Sequence, residues 1–341
     1  MNRTEIAFFC SPIGLGHATR DVAVAHLFDL PTRFVSGAGA ARMISECGFS
    51  VENLYNPPRF DVQNGELKKS ARWLWQYYQY YKECKKESEK FIKKEDPRLV
   101  VSDEDFASLG VAQGKKISTI LITDILETRF TKGVSSIIEK KMNQSMRNMI
   151  QKCDAVIVPE TGEDVGNIRR VGPIVRTTNL TRDELRERFA FAKKTVTVTV
   201  GGTDAGRFLI EKALEVSEKM RDVEFVLVSG PSLKIEGRNV RNMGYVSNLH
   251  EVIYASDVVL SLAGKSTIDE SKAYGTPGIF IPIKNHFEQE DNAKSEGYTY
   301  DDISRLEQLV SEKLQEKRNP LASNGARKAF EIIKQYMSAN P

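Results

Sequence analysis

The sequence has few cysteines and no arrangement that uses them. Cys10, Cys47, Cys84 and Cys153 are scattered, with no CxxC pair. This excludes a zinc framework and a secreted disulfide scaffold, and it fits a reducing cytoplasm. Long apolar runs are missing as well. No stretch approaches the roughly 20 apolar residues that cross a bilayer, and the apolar run in MNRTEIAFFCSP is too short for a signal peptide. Nor does one sign of charge dominate. Lys plus Arg is 49 against 46 for Asp plus Glu, a net +3, too even to demand nucleic acid as a partner. What is present is a globular composition, 40% hydrophobic and 28% charged over 341 residues. That rules out disorder and collagen, and at roughly 150 residues per domain it allows about two domains.

The chain reads as strand, loop, helix, repeated. Ile6 to Cys10, Thr32 to Ser36, Leu99 to Ser102, Ser118 to Thr123 and Ala155 to Val158 are short apolar strands. Helical patterns separate them at Ala18 to Phe28, Ala40 to Cys47 and Ser135 to Cys153. Fully apolar strands alternating with helices predict a parallel sheet covered on both faces. The same grammar restarts after Val171-Gly172-Pro173, with a helix expected over Asp183 to Lys194 and strands at Thr195 to Val200, Glu224 to Ser229, Val240 to Met243, Val258 to Ser261 and Gly278 to Ile283. The expectation is an α/β protein of two doubly wound domains, 1–172 and 173–321. A last helix (322–338) is free to pack back on the first.

In open α/β sheets ligands bind beyond the carboxyl ends of the strands, so the loops that follow strands are where chemistry is sought. The first is Ser11-Pro12-Ile13-Gly14-Leu15-Gly16-His17. Thr19 stands where a third glycine of GxGxxG belongs and there is no P-loop lysine, which disfavours a nicotinamide enzyme or a nucleotide triphosphatase. His17, at the helix start, is suited to remove a proton from a hydroxyl near neutral pH; a capping histidine is the equal alternative. The second loop, Gly201-Gly202-Thr203-Asp204-Ala205-Gly206, offers amides and a hydroxyl to a phosphate, although alone an ordinary glycine-rich turn explains it better. In the third, Ser261 to Glu270, Gly264, Ser266 and Thr267 can face a diphosphate while Glu270, a turn further on, accepts two ribose hydroxyls. Val259 stands where a P-loop needs glycine. Ile281 to Ala293 then empties a strand into amides and carboxylates suited to gripping hydroxyls.

Together, SLAGKSTIDE, GTPGIFIPI and HFEQEDNA, preceded by GGTDAG and GYV, resemble the donor half of GT-B glycosyltransferases. The likeness is to family 28, which includes the peptidoglycan lipid-linked N-acetylglucosaminyl transferase. It covers residues 172–295 strongly and the N-terminal half mainly through GLGHATR. It implies two Rossmann-like domains facing across a cleft, an inverting and metal-independent transfer from a UDP-sugar, and no cofactor beyond that co-substrate. By the same resemblance, Tyr245 and Val246 would flank the uracil and Glu270 would hold the ribose. Gly264, Ser266, Thr267 and Thr203 would cradle the diphosphate, with Arg176 neutralising part of its charge. Glu288 and Gln289 would contact the donor sugar, where a family member specific for N-acetylglucosamine carries two glutamines. His17, beside Gly16, would approach the acceptor and the donor phosphate.

Asp103 admits two readings. With Asp105 it forms a DxD, a metal motif of the other major glycosyltransferase fold. Alternatively, it orients His17 from an adjacent strand end. Capping of the next helix is an equal alternative. Arg72 to Phe91 places Trp73, Tyr77, Tyr80, Tyr81, Cys84 and Phe91 on one helical face among lysines. That composition suits an anionic membrane boundary, hence a lipid-linked acceptor at the inner face of the cell membrane, or a sugar, or simply a core-facing stripe. A small-molecule acceptor stays open, as does a UDP-sugar epimerase of the same fold.

Overall fold

The computed structural model describes residues 4–68, 70–129, 136–201, 204–229 and 239–339. The chain forms two compact units. One comprises Met1–Arg59, Lys69–Val175 and Ser323–Pro341, the other Phe60–Lys68 and Arg176–Ala322.

The first unit begins β1 (Ile6–Cys10), α1 (Gly16–Ala25), β2 (Thr32–Ser36), α2 (Ala38–Glu46) and β3 (Ser50–Asn53). The chain then leaves for the second unit as a hairpin, β4 (Val62–Gln63) and β5 (Glu66–Leu67). It returns through α3 (Ser70–Glu95), β6 (Leu99–Asp103), α4 (Phe106–Gly114), β7 (Ser118–Ile122), α5 (Ser136–Lys152), β8 (Ala155–Val158) and β9 (Ile168–Arg170). The strands form one parallel sheet in the order β3-β2-β1-β6-β7-β8-β9. Every residue of β1 and β6 is buried, as a sheet covered on both faces requires. Strand order reverses between β1 and β6, which pair with Cys10 opposite Asp103. The loops after β1 and β6 therefore leave the sheet side by side.

The second unit contains α6 (Arg182–Arg188), β10 (Lys194–Thr199), α7 (Arg207–Lys219), β11 (Val223–Val228), β12 (Val240–Asn242), α8 (Leu249–Ala255), β13 (Val258–Leu262), α9 (Lys265–Tyr274), β14 (Gly278–Ile281), α10 (Phe287–Ser295) and α11 (Leu306–Lys313). Its parallel sheet runs β12-β11-β10-β13-β14, reversing between β10 and β13. The final helix, α12 (Gly325–Ala339), belongs to the first unit, where Phe330 packs on Phe28 with ring centroids 4.6 Å apart.

Two expectations are corrected. The helix expected over 183–194 stops at Arg188, because Ala190 turns the chain at φ +53° and sends Phe191 into an apolar cluster with Leu185 and Val226. Residues 60–68, expected in the first domain, are part of the second unit. Asn64 and Gly65 both have positive φ (+50° and +74°), the backbone of a tight Asn-Gly hairpin. A side chain at Gly65 would stand 2.7 Å from the Tyr300 ring and 2.9 Å from that of Phe208. Leu67 is buried in the second core, and its amide donates to the Lys284 carbonyl at 2.9 Å.

Among the described residues no helix is long and apolar enough to cross a membrane. On α3, Trp73, Cys84 and Phe91 are buried, while Trp75 (64% exposed) and Tyr78 (43%) face outward, with Lys82 Nζ 4.5 Å above the Tyr78 ring.

Leu67→Ala should destabilise the second unit by about 2–4 kcal/mol, as removal of a buried leucine does. The readout is faster native-state amide exchange along β13 and β14; unchanged exchange there would place the hairpin outside the cooperative core.

Candidate active site

In the first unit the strand reversal brings His17 and Asp103 together. Gly14 turns the loop after β1 at φ +86°, α1 starts at Gly16, and the Ser11 amide donates to the Asp103 carbonyl at 3.0 Å. His17 Nδ1 lies 2.8 Å from Asp103 Oδ1. Asp103 is fully buried and His17 is 16% exposed. A carboxylate can only accept, so Nδ1 carries the proton and the lone pair is on Nε2. The 3.1 Å approach of an Arg20 nitrogen to Nδ1 is then a contact of two donors on the same acceptor.

The remaining partners form a buried charge cluster around Arg20. Its guanidinium donates to both oxygens of Asp103, at 2.5 Å each, and lies 3.3 Å from Asp124 and 3.6 Å from Glu104. Burial works against the Asp103 charge, but Arg20 and then His17 outweigh it and hold the carboxyl below its ordinary range. Asp124 is likewise held low, against burial, by Arg20 and by a hydrogen bond from Glu104. The reverse holds for Glu104, which burial and then the Asp124 charge push well up. Thr123 Oγ1 (2.9 Å) and the Asp124 amide (3.2 Å) donate to Glu104 Oε1, while Oε2 stands 3.8 Å from His17 Nε2. Glu104 is also a non-glycine residue at φ +52°, a left-handed backbone of the kind that collects at functional sites.

The DxD reading does not fit this geometry. Asp103 is engaged by Arg20 and His17, and Asp105 caps α4, accepting from the Ala107 amide at 3.2 Å and from the Tyr55 hydroxyl at 2.7 Å. The helix-capping role falls to Asp105 rather than to Asp103.

In the second unit, the loops after β10 and β13 flank the strand reversal. Thr203 and Gly202 lie outside the described residues. Gly264 is the N-cap of α9, with no side chain capping the helix, and a side chain added there would meet nothing within 4 Å. Ser266 and Thr267 occupy the first turn of α9, whose backbone amides point to the side where anions bind helices. Glu270 is buried on the same helix and pairs with Arg176, Nε to Oε1 3.2 Å. Arg176 also donates to the Ser247 carbonyl, which joins Glu270 to the loop carrying Tyr245 and Val246. Arg176 is thus engaged in holding Glu270 rather than set toward a diphosphate. Burial pushes Glu270 up and Arg176 opposes it. Glu288 and Gln289 lie in the first turn of α10; Gln289 Oε1 accepts from the Ile283 amide at 3.0 Å. Asn292 donates to the Ala263 carbonyl at 3.1 Å and ties α10 to the loop before α9.

Sequence reasoning missed Arg20, Asp21, Glu104 and Asp124. Arg20 and Asp21 stand three and four residues after His17, on the same side of one helix, and that spacing was the available signal.

Removing Arg20 leaves two buried carboxylates unpaired. Arg20→Met should destabilise the first unit by about 3–5 kcal/mol at neutral pH. The ion pair depresses the Asp103 carboxyl, so its contribution is present above the unfolded value of about 3.9 and lost as pH falls through the lower folded value. The deficit in urea unfolding should therefore narrow below about pH 4; a deficit constant with pH would sink this account.

Comparison with known proteins agrees with the donor-side geometry. Residues 195–337 match the glycosyltransferase family 28 C-terminal domain. An uncharacterized glycosyltransferase of Methanopyrus kandleri is 31% identical over 225 residues, 60% of this chain. The chain spans 62% of that relative's length. The glycosyltransferase SnogD from Streptomyces nogalater superposes with a TM-score of 0.60 at 18% identity, covering 100% of this chain and 96% of that one. UDP-GlcNAc 2-epimerase from Neisseria meningitidis, bound to UDP-GlcNAc, gives 0.66 at 13% identity, covering 99% and 100%. Residues 195–337 are thus similar to the family 28 C-terminal domain, and the fold is one shared with a glycosyltransferase and an epimerase of known structure.

Proposed function

We propose that the protein is an inverting, metal-independent glycosyltransferase that moves a sugar from a UDP-sugar to an acceptor hydroxyl. The observation that carries the reading is the His17–Asp103 pair at 2.8 Å, at a strand reversal, with Nε2 left to act as base. Acceptor activation is assigned to the first unit and donor binding to the second. Nε2 takes the hydroxyl proton while the acceptor oxygen bonds the anomeric carbon from the face opposite the diphosphate. The bond to the phosphate oxygen breaks, its electron pair leaves with UDP, and the configuration inverts. The open start of α9 at Gly264, Ser266 and Thr267 stabilises the departing charge. Glu270, fixed by Arg176, binds the ribose, Tyr245 and Val246 bind the uracil, and Glu288 and Gln289 bind the sugar.

The likeness to a UDP-GlcNAc 2-epimerase over nearly the whole chain favours one second reading, an epimerase. Incubation with UDP-sugars, with and without an acceptor extract, separates the two. Transfer makes UDP release depend on acceptor; release without acceptor together with an epimerised sugar would sink the transferase. His17→Ala should abolish transfer and leave UDP affinity within a few-fold, whereas Glu270→Ala should weaken UDP binding by about 1–3 kcal/mol, both read by calorimetry and turnover. EDTA should leave turnover unchanged; a strict need for a divalent cation would remove metal independence.

For the acceptor, the outward Trp75 and Tyr78 beside Lys82 support a lipid-linked molecule met at an anionic membrane face. The protein should sediment with anionic vesicles at low salt, and Lys82, Lys85 and Lys86 changed together to Glu should release it. Equal sedimentation of both forms, or none at all, would leave the acceptor soluble.

A further inference from the structure

We propose that Asp21 is a positioning residue of this site: a buried carboxylic acid whose proton is shared with Asp103 and fixes the orientation and charge of the His17–Asp103 pair.

Asp21 lies on α1, one turn after His17, and is completely buried. Neither of its carboxyl oxygens has a hydrogen-bond partner at ordinary distance among the described residues, and the one neutral donor facing it is the weak thiol of Cys10. The ionisable groups facing it are Asp103 from β6, Cys10 from β1 and Arg20 from its own helix. Arg20, the cation among them, is committed to Asp103 and Asp124. A buried carboxylate faced by no donor stronger than a thiol is strongly disfavoured, and a second anion beside it more so. Protonation resolves both problems, because Asp103 has room to accept. A carboxylate offers about four lone-pair sites. Arg20 takes one on each oxygen and His17 a second on Oδ1, which leaves one on Oδ2 for the Asp21 hydroxyl. Burial and then the Asp103 charge push the Asp21 carboxyl well above its ordinary range, in line with that geometry.

The proton has a consequence for His17. With Asp21 and Glu104 neutral, Arg20 leaves one of the charges on Asp103 and Asp124 uncompensated. Of the two, Asp103 is the carboxylate bonded to His17 Nδ1, at 2.8 Å. An ionised Asp21 would add a charge with no counter-ion. An apolar residue there would leave the last Asp103 site empty. The catalytic consequence rests on the transferase reading; the protonation state does not.

The test uses the full chain. At neutral pH the infrared spectrum should contain a buried carboxylic-acid carbonyl band that disappears in Asp21→Asn and survives in Glu104→Gln, the control for the other neutral acid. Stability gives a second readout. A carboxyl whose folded pKa is raised loses stability as pH rises above the unfolded value of about 3.9, since the unfolded chain releases the proton and the folded one keeps it. Asp21→Asn removes that loss and its amide still donates to Asp103. Its melting temperature should exceed that of the wild type at pH 7, with the gap closing toward pH 4. In turnover, Asp21→Asn should keep kcat within about threefold, and Asp21→Ala should lower it about tenfold or more at unchanged UDP-sugar KM. Persistence in Asp21→Asn of the same carboxylic-acid band that survives in Glu104→Gln, a stability gap that does not vary with pH, or equal kcat loss in both variants would overturn the proposal. Absence of transfer in the wild type would fail the transferase reading alone, with the infrared and stability results still deciding Asp21.

Discussion

Arg20 sits where four carboxyl groups and a histidine converge, and the first unit can fold only if that charge is arranged. Asp103 is wholly buried at a strand end and Asp124 nearly so at the next. Each would be strongly disfavoured alone, and one guanidinium satisfies both through a planar fork of donors that lysine lacks. The arrangement also settles the histidine. Once Asp103 is an anion, Nδ1 donates to it, and the lone pair of the neutral ring is on Nε2.

The second unit repeats the device at its own strand reversal. Arg176 and Glu270 are both buried and bonded to each other, and Arg176 reaches the Ser247 carbonyl in the loop after β12. A carboxylate held in this way is fixed in orientation, as the proposed ribose contact requires. The second-unit pair buries an ion pair to fix the geometry of an acceptor, while the first-unit cluster buries one to fix a proton. In both, the arginine is bonded to the carboxylate, so Arg176, expected at a diphosphate, already has a partner in Glu270.

Legibility in the sequence follows from range. Strands such as Ile6–Cys10 and Ala155–Val158 were readable because a fully buried parallel strand is a short apolar run bounded by turns. His17 with Asp103 was readable because Asp103 ends β6 and His17 follows the loop after its neighbour β1, so the topology brings the two together. The hairpin at 62–67 carried a local signal in Asn64-Gly65, but its strands are two residues long and its burial depends on Phe208 and Tyr300, far along the chain. Helix α6 ended early for a similar reason, since Phe191 gains burial that continuing the helix would forfeit. The cluster around Arg20 was least legible. Whether a carboxyl such as Asp21 or Glu104 is ionised depends on what else is buried within a few ångströms, and neither pattern nor spacing records that.

The fold likeness is shared by a glycosyltransferase and by an epimerase, so the fold does not choose between them. Nor do the donor-side residues, since both chemistries hold a nucleotide sugar. The choice rests on the first unit. With Asp21 and Glu104 neutral, the cluster of Arg20, Asp103 and Asp124 carries one excess negative charge in a buried setting, where charge interactions are stronger than in water. In the proposed transfer the buried Asp103 carboxylate, bonded to Nδ1 at 2.8 Å, is what orients Nε2 toward the acceptor hydroxyl.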